Sequence, residues 1–383
     1  MSVRKRTWDS GGVSKTAWVV DYRDQDGRRR LKTFKTKKEA DAWAPNAAVQ
    51  VQQGIHTPDG ASITVGEAGE LWVAAGEAQE LEATTIRQYR QHVDLHISPL
   101  IGDVKLSRLT APAVEDFRDT LIRTRSRAMA RKVLGSLKAL ISEAQRRGKV
   151  SHNVAREVKV RQAGRHREHV EVGNGIPTKA EIKGILDKVA GRWRPLLVTA
   201  TFTGLRASEL RGLTWDNVDF ENKMIRVRQR ADRFNVIGSP KSRAGKRDVI
   251  MPPVVLNTLR EWQLECPKGD LGLVFPNGAG NVESLGNIYR RGFAPAQIAA
   301  GAAIDSGAVG KDGRPVMKAK YGLHALRHFY AAWLIEQGFP PKKVQAMLGH
   351  SSIQMTYDVY GHLFPSEEDD FEKLAAGEIA VMG

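Results

Sequence analysis

The chain has 383 residues and carries 59 lysines and arginines against 43 aspartates and glutamates, a formal net charge of +16. Its length is typical of two or three domains, and no apolar run approaches the roughly 18 residues that a membrane-spanning helix needs. Cys266 is the one cysteine, which excludes an intramolecular disulfide and a cysteine-based zinc site and favours a reducing compartment such as the cytoplasm. A protein this basic is expected to bind a polyanion, most often nucleic acid.

The first segment, residues 1–58, is predicted to be a small sheet followed by a helix. Two runs of alternating side chains flank Asp26-Gly27, a dipeptide typical of a hairpin turn, and Thr36 is placed to cap a helix that extends to about Gln53. The second strand is basic, and its candidate nucleic-acid contacts are Arg28, Arg29, Arg30 and Lys32. The alternative is an ordinary small sheet whose charged face is solvated.

The next segment, residues 62–160, has the pattern of a helical domain. Four helices are predicted, and Thr110 is placed to cap the third. The last, within residues 126–150, has apolar side chains at i, i+3 and i+4 on one face. Its other face carries the basic side chains Arg131, Lys132 and Lys138. Such a face is often only solvated, and contact with phosphate groups is the competing hypothesis, because residues 120–170 hold 14 basic and 3 acidic side chains. A polar linker, residues 161–175, is expected before a larger domain, residues 176–383.

Arg206 and Glu209 lie in the stretch TGLRASEL, where a helix is predicted to begin. An arginine in the first turn of a helix opposes the helix dipole, and a residue placed against local preference is a candidate for function. Glu209 lies three residues further along on the same face and can hold the guanidinium in one orientation. The alternative is an ordinary surface ion pair.

A second polar cluster lies in HALRHFYAAWLIEQG, residues 324–338. At 100° per residue, His324, Arg327 and His328 share one face of a predicted helix, and apolar side chains occupy the other face. Two histidines at i and i+4 can bind a metal, but the arginine beside them would repel a cation and suits an anion such as a phosphodiester better. No metal site is therefore assigned to this cluster.

Two tyrosines compete for a role in LGHSSIQMTYDVYGH, residues 348–362. A short helix is expected to end at Gly349, which leaves His350 just beyond it. Tyr357 and Tyr360 both fall near one face of the following helix, so periodicity does not separate them. For each tyrosine, a packing role in the core remains the alternative to a chemical role.

Together these stretches resemble the tyrosine recombinase family, the phage-type integrases. TGLRASEL, HALRH, LGHSS and DVYGH follow the order and spacing of the family's motifs. The resemblance implies that the catalytic residues include Arg206, His324, Arg327, His350 and the nucleophile Tyr360, with Glu209 in support. It also implies a lysine on a β-hairpin between the first two motifs, for which Lys241 is the better match and Lys246 the rival. Tyr357 is then expected to be a packing or supporting residue.

The chemistry of DNA strand transfer is compatible with these side chains. A phosphodiester attacked by a tyrosine passes through a five-coordinate phosphorus, whose added negative charge arginines and histidines can stabilise without a metal. A free tyrosine has a pKa of about 10, so its attack needs a nearby base or a strongly positive pocket. The leaving 5′-oxygen needs a proton, which a lysine can supply, and the 3′-phosphotyrosine conserves the bond energy. No cofactor is expected, and the sequence has no GxxxxGK[ST] phosphate loop.

The resemblance also implies a fold and partners. The expected fold is multidomain and mainly α with small β elements: an N-terminal sheet-plus-helix arm-binding module, a helical core-binding domain, and a mixed α+β catalytic domain. The expected partners are double-stranded DNA attachment sites, further copies of the chain in a homotetramer, a host DNA-bending protein and an excision factor, with no membrane. The acidic, mildly amphipathic end of the chain is expected to dock on a neighbouring subunit.

Within this family, the expected function is the integration, with or without excision, of a phage or other mobile element in a bacterial cytoplasm. A resolvase of chromosome or plasmid dimers and a relaxing topoisomerase share the chemistry, and the extra N-terminal module argues against the simplest resolvases. A DNA-binding regulator that has lost catalysis is disfavoured because every matched polar position is filled. A metal-dependent nuclease is the hypothesis from another class, and sensitivity to a chelator tests it.

Overall fold

The computed structural model describes residues 1–11, 13–161, 170–310, 313–364 and 370–382. The chain forms two compact units, Met1–His166 and Arg167–Gly383. The division falls inside the linker predicted for residues 161–175, of which residues 162–169 lie outside the described part of the chain. None of the described helices is long and apolar enough to cross a membrane.

The N-terminal unit begins with a three-stranded antiparallel sheet in the order β1-β2-β3. Its strands are β1 (Ser2–Ser10), β2 (Val13–Arg23) and β3 (Arg29–Phe34). The turn between β2 and β3 contains the Asp-Gly dipeptide, as predicted. Strand β1 is not predicted by the sequence pattern, because its residues are mostly polar or basic and lack apolar alternation. Pairing with β2 along its whole length gives this strand its place.

Helix α1 (Lys37–Gln52) covers one face of this sheet. The Thr36 hydroxyl accepts a hydrogen bond from the Glu39 N–H, and the Glu39 carboxylate accepts one from the Thr36 N–H. This reciprocal capping box starts the helix where the sequence predicts it. Tyr22 of β2 and Ala40 of α1 are buried between the two layers, so the module has a small core of its own.

The rest of this unit is helical, as predicted. Its helices are α2 (Val65–Ala78), α3 (Ala83–His92), α4 (Ser98–Ile101), α5 (Ala111–Thr124) and α6 (Arg127–Arg146). A π-helical turn, Val93–Ile97, joins α3 to α4. Thr110 caps α5 as predicted. The apolar face predicted for α6 lies in the centre of the core, where Val133, Leu137 and Leu140 are fully buried.

The segment that follows α1 is fixed to both the sheet module and the helical part of this unit. His56 Nε2 forms a hydrogen bond of 2.8 Å with the Tyr22 hydroxyl, and Lys32 forms an ion pair with Asp59 at 3.0 Å. From the helical side, the Lys105 ammonium donates to the Asp59 carbonyl at 3.0 Å. The sheet module and the helices therefore belong to one compact unit.

The C-terminal unit mixes helices with small sheets, as predicted for this part of the chain. Its helices are α7 (Lys179–Lys188), α8 (Trp193–Thr203), α9 (Ala207–Arg211), α10 (Pro253–Glu265), α11 (Leu285–Asn287), α12 (Ala294–Ala299), α13 (Ala325–Glu336), α14 (Pro341–Leu348), α15 (Ile353–Tyr360) and α16 (Asp370–Met382). Its strands are β4 (Glu171–Val172), β5 (Gly175–Ile176), β6 (Val218–Asp219), β7 (Met224–Val227), β8 (Arg230–Ala231), β9 (Ile237–Gly238), β10 (Arg247–Ile250), β11 (Ala303–Val309) and β12 (Pro315–Ala319). Strands β10, β7 and β6 form a three-stranded antiparallel sheet, and the other strands pair as neighbours in sequence.

Helix α8 lies in the core of this unit and is buried over most of its surface. Leu196, Leu197 and Val198 lie on different sides of the helix and are all buried, as expected for a helix that is apolar all round. It packs against α10 and α13. This packing brings the C-terminal end of α8 to the N-terminal end of α13, where the polar sequence motifs lie.

Candidate active site

Two helix ends with left-handed glycines frame the site. Gly204 follows α8 with a φ of 59°, and Gly349 follows α14 with a φ of 67°. A Cβ atom at Gly204 would overlap the ring of Tyr330, and one at Gly349 would lie 2.8 Å from the carbonyl oxygen of Ala244. Glycine is therefore required at both positions, for backbone conformation and for space. The carbonyl groups at these two helix ends hold the arginines of the site.

Arg327 joins the two helix ends. It lies in the first turn of α13, is 3% exposed, and donates to the carbonyls of Gly204 and Leu348, each at 2.6 Å. The negative ends of two helices thus offset part of the cost of burying a cation. Burial, followed by repulsion from Arg206 and Arg247, lowers the pKa of Arg327 to about 9, which leaves the guanidinium protonated at neutral pH.

Arg206 is the N-cap residue of α9, one position ahead of the first turn in which the sequence places it. The Glu209 carboxylate accepts hydrogen bonds from the Arg206 backbone N–H at 2.9 Å and from its guanidinium at 2.8 Å. This carboxylate offsets a cation at the positive end of a helix. Another guanidinium nitrogen donates to the Gly349 carbonyl at 3.0 Å, so Arg206 and Arg327 are both held by the end of α14.

Arg247 is a residue of this site that the sequence motifs do not identify. It begins β10, its side chain is 6% exposed, and its two terminal nitrogens donate to the Glu209 carboxylate at 3.0 and 3.1 Å. Its Nε donates to the carbonyl of Met347 at the end of α14, at 2.8 Å. In the sequence, Arg247 is one of many basic residues in the stretch from β7 to the start of β10, and the folded chain brings it to Glu209.

Two guanidinium groups, those of Arg206 and Arg247, therefore bond to one buried carboxylate, and Arg327 is close enough for its charge to interact with that carboxylate. Burial acts to raise the pKa of Glu209, but the hydrogen bonds and charge of Arg247, together with those of Arg206, hold that pKa below its ordinary value. The carboxylate is ionised at neutral pH. Three positive charges and one negative charge leave a net charge of +2 on Arg206, Arg247, Arg327 and Glu209. Such a cluster is suited to an anion, and above all to one whose charge increases during a reaction.

Replacing Glu209 with glutamine is expected to lower the free energy of unfolding by about 3–5 kcal/mol at pH 7, because it leaves the buried Arg247 without its counter-ion. The pKa of Glu209 is lower in the folded than in the unfolded protein, so its ionised form stabilises the fold above the ordinary pKa of 4.5. This contribution is lost as the pH falls below that value. Urea unfolding at several pH values measures the effect.

Glu261→Gln provides the matched control, since Glu261 is an exposed glutamate of α10. Its unfolding free energy is expected to remain within about 0.5 kcal/mol of wild type, as for most surface substitutions. The difference between wild type and Glu209→Gln is expected to shrink as the pH is lowered from neutral into the acid range. A difference that stays constant with pH would contradict the assigned ionisation of Glu209.

The two motif histidines are neutral at neutral pH. His350 is buried just after α14, and its Nδ1 lies 2.9 Å from the Thr356 hydroxyl. Burial, followed by the charge of Arg327, lowers the pKa of His350 to about 4. His324 lies at the N-terminal end of α13, open to solvent on one side. Partial loss of water around its ring, followed by the neighbouring His328 and Arg327, lowers the pKa of His324 below its ordinary value.

The structure distinguishes Tyr357 from Tyr360, which the periodicity of the sequence leaves equivalent. Tyr360 is 2% exposed and Tyr357 is 46% exposed, so the two side chains lie in different environments although periodicity places both near one face. Tyr360 ends α15 with φ −123° and ψ 3°, outside helical values, and its hydroxyl lies 2.8 Å from Nδ1 of His328 on α13. Tyr357, expected to be a packing or supporting residue, is half-exposed, and its ring lies 5.8 Å from that of Phe364.

Lys241 and Lys246 both lie in the loop between β9 and β10, and both are exposed. The stretch predicted as a hairpin, residues 225–252, contains two antiparallel strand pairs, β7 with β10 and β8 with β9. Lys241 lies within this stretch after β9, and Lys246 directly precedes Arg247. Within the described residues, no group of three or more histidine, cysteine, aspartate or glutamate side chains is placed to hold a metal ion.

The basic residues predicted to contact nucleic acid on the sheet differ in exposure. Arg28 and Arg29 are exposed. Arg30 and Lys32 are partly buried, because Arg30 forms an ion pair of 2.8 Å with an aspartate of the β2–β3 turn and Lys32 lies 4.9 Å from the ring centre of Trp43. These two side chains are engaged within the protein.

The basic residues predicted on α6 also divide into two kinds. Arg131 and Lys132 are exposed. Lys138 is partly buried and donates to the carbonyl of Arg156 at 2.9 Å. The first two are therefore better placed than Lys138 to contact a polyanion.

Comparison with known proteins identifies relatives over nearly the whole chain. Residues 178–367 match the phage integrase family. The chain is 27% identical over 380 residues to a tyrosine recombinase XerC-like protein of Caldanaerobacter subterraneus subsp. tengcongensis, covering 91% of this chain and 92% of the relative. It is 26% identical over 388 residues to an integrase of Streptomyces ambofaciens, covering 93% of each chain.

Solved structures show the same fold at lower sequence identity. The Tn1549 transposon integrase in complex with transposon right end DNA gives a TM-score of 0.64 at 19% identity, covering 83% of this chain and 100% of that chain. A lambda integrase dimer bound to a COC′ core site gives a TM-score of 0.57 at 16% identity, covering 92% of this chain and 93% of that chain.

Proposed function

Because the chain belongs to the phage integrase family of tyrosine recombinases, we propose that it is a site-specific recombinase that cuts and rejoins DNA through Tyr360. The observation that supports this role most directly is the buried Tyr360 hydroxyl, close enough to Arg327 for their charges to interact, in a site where Arg206 and Arg247 bond to the Glu209 carboxylate. Integration of a phage or other mobile element is the specific function proposed, since relatives of similar length are integrases.

In the proposed reaction, the scissile phosphodiester binds where the arginines converge. Arg206 and Arg327 stabilise the negative charge that develops on the nonbridging oxygens of the five-coordinate phosphorus. Both are already held by carbonyl groups, so little reorganisation is needed as that charge develops. His324 and His350 act as neutral hydrogen-bonding groups, and His350 has Nε2 available because Nδ1 is engaged by Thr356.

Tyr360 attacks the phosphorus, and the resulting 3′-phosphotyrosine conserves the energy of the broken bond to the 5′-oxygen. Lys241, or its neighbour Lys246, gives the leaving 5′-oxygen a proton. A 5′-hydroxyl from another strand then reverses the same steps and joins the DNA. Every step in this proposal uses side chains of the protein itself.

The test is to mix the protein with supercoiled DNA containing the region around its own gene, in the presence of a chelator, and to quench in denaturant. Digestion and mass spectrometry then identify the peptide that carries nucleotide. We expect the adduct on Tyr360. An adduct on Tyr357 would keep the reaction class and overturn the residue, whereas cleavage that stops in chelator would favour a metal-dependent nuclease. No tyrosine adduct on a confirmed attachment site would favour a DNA-binding regulator.

The proposed assembly is a homotetramer on double-stranded DNA attachment sites. A lambda integrase tetramer bound to a Holliday junction has the same fold. Helix α16 supports such an assembly, because Leu374 and Ile379 are strongly exposed on it and a neighbouring subunit would cover them. A host DNA-bending protein, an excision factor and a location in the bacterial cytoplasm belong to the same proposal.

We propose that successive segments of the chain have different functions. Residues 1–58 form an arm-type DNA-binding module, residues 62–160 a core-binding domain, residues 161–175 a linker, and residues 176–383 the catalytic domain with its tail. The exposed basic side chains support the DNA contacts of the first two parts. They are Arg28, Arg29, Arg131 and Lys132.

A further inference from the structure

His328 is in direct contact with the group proposed to attack DNA. Its Nδ1 lies 2.8 Å from the Tyr360 hydroxyl, and the two ring centres are 5.7 Å apart at an interplanar angle of 62°. Among the residues that the structure describes, this is the one hydrogen bond of that hydroxyl. Because α13 fixes His328 next to the buried Arg327, the position of this imidazole is set by the same helix that positions the phosphate-binding site.

Within the described residues, the two motif histidines, His324 and His350, make contacts other than a hydrogen bond to the Tyr360 hydroxyl. His324 meets His328 edge-on, with 4.8 Å between ring centres, and makes no hydrogen bond to Tyr360 within the described residues. His350 lies parallel to the Tyr360 ring, with 6.4 Å between centres, and its Nδ1 is engaged by Thr356. His328 is therefore the histidine whose ring nitrogen reaches the phenolic oxygen.

Before reaction, His328 and Tyr360 are in the protonation states that a general base and its nucleophile need. Burial, followed by the charge of Arg327, lowers the pKa of His328, so its ring is neutral at neutral pH. In the tautomer with its hydrogen on Nε2, Nδ1 accepts a hydrogen bond from the phenol. Burial raises the pKa of Tyr360 to about 12, so the phenol keeps its proton until a base removes it. A neutral acceptor touching a protonated nucleophile is the arrangement that general base catalysis requires.

We propose that His328 is the general base that activates Tyr360, an inference that rests on the proposed function. The Tyr360 oxygen bonds to phosphorus as its proton passes to Nδ1 of His328, and the bond from phosphorus to the 5′-oxygen breaks as Lys241 protonates that oxygen. His328 becomes an imidazolium and Lys241 a neutral amine. On rejoining, the incoming 5′-hydroxyl returns its proton to Lys241 and His328 returns its proton to Tyr360, so the cycle closes without an outside proton source.

Two substitutions separate proton transfer from positioning. In His328→Asn, a side-chain amide stands near the place of Nδ1 and keeps a hydrogen bond, but it cannot take up the proton, whereas His328→Ala removes both functions. The rate of Tyr360 adduct formation is measured in single turnover on the DNA that wild type cleaves. We expect both variants to be slower by about 10²–10⁴-fold, the usual contribution of a general base. DNA binding and the melting temperature of His328→Asn are expected to match wild type.

A DNA substrate with sulfur in place of the scissile 5′-oxygen separates a defect in protonating the leaving group from a defect in activating the nucleophile. A thiolate leaves without a proton, so this substrate is expected to restore adduct formation in Lys241→Ala, or in Lys246→Ala if that is the variant that slows ordinary cleavage. It is not expected to restore His328→Asn, whose defect lies in the nucleophile.

The outcomes are distinct. Cleavage by His328→Asn at the wild-type rate would overturn the inference and leave His328 as a positioning residue. Rescue of His328→Asn by the sulfur substrate, to the extent seen for the lysine variant, would also overturn it. A wild-type protein that forms no adduct on Tyr360 would instead overturn the proposed function, and the inference with it.

Discussion

Replacing Tyr360 with phenylalanine is expected to abolish the covalent protein–DNA complex and to slow cleavage by at least about 10⁴-fold, as when other covalent nucleophiles are removed. Phenylalanine fills the same buried space beside α13, but it has no oxygen to attack phosphorus. The lost hydroxyl leaves Nδ1 of His328 without its partner, at a cost of about 1–3 kcal/mol in the free energy of unfolding. Denaturing gels measure the covalent complex, and gel shifts measure DNA binding, which is expected to persist.

Tyr357→Phe is the matched control, because Tyr357 lies three residues earlier on the same helix and is half-exposed. It is expected to form the covalent complex at the wild-type rate. If Tyr360→Phe formed the complex and Tyr357→Phe did not, the two roles would have to be exchanged. The burial of Tyr360 in this structure would then describe a packing residue.

Replacing Arg327 with lysine is expected to slow cleavage by about 10³-fold or more, the scale on which a transition-state arginine acts in phosphoryl transfer. A single ammonium group cannot donate to the Gly204 and Leu348 carbonyls together and still present charge to the phosphate. The positive charge is kept, so long-range attraction to DNA is expected to be unchanged. Single-turnover rates of adduct formation, together with gel-shift affinity, separate the two effects.

Arg260→Lys controls for the chemistry of the substitution, since Arg260 is an exposed arginine of α10. It is expected to cleave DNA at the wild-type rate. A near wild-type rate for Arg327→Lys would show that the two carbonyl contacts do not position a catalytic group, and the role of Arg327 would then be limited to holding the helix ends together.

Much of the local structure follows from short-range rules in the sequence. Thr36 and Thr110 cap helices where they were predicted to, because a hydroxyl that satisfies a free N–H acts within three residues. The apolar spacing of α6 predicts its buried face correctly. Strand β1 is not predicted, because it has little apolar pattern of its own and is held by its pairing with β2.

The candidate active site likewise contains residues that the sequence identifies and residues that it does not. The sequence identifies Arg206 as a candidate because it opposes the dipole at a helix start, and His324 and Arg327 because they share one face of a helix. The sequence also places His328 on the polar face of α13, but it assigns no role to this residue. Arg247 is missed altogether, because its partner Glu209 lies 38 residues earlier in the chain.

The sequence by itself determined the class of chemistry, since a highly basic chain with four ordered motifs supplies arginines, histidines and a tyrosine for a phosphodiester. Only the tertiary structure decided which tyrosine is buried and which histidine touches it. The physical reason is that periodicity reports the average face of a helix, whereas Tyr360 leaves helical geometry at the end of α15. Its partner His328 comes from another helix, and packing, not local spacing, sets that contact.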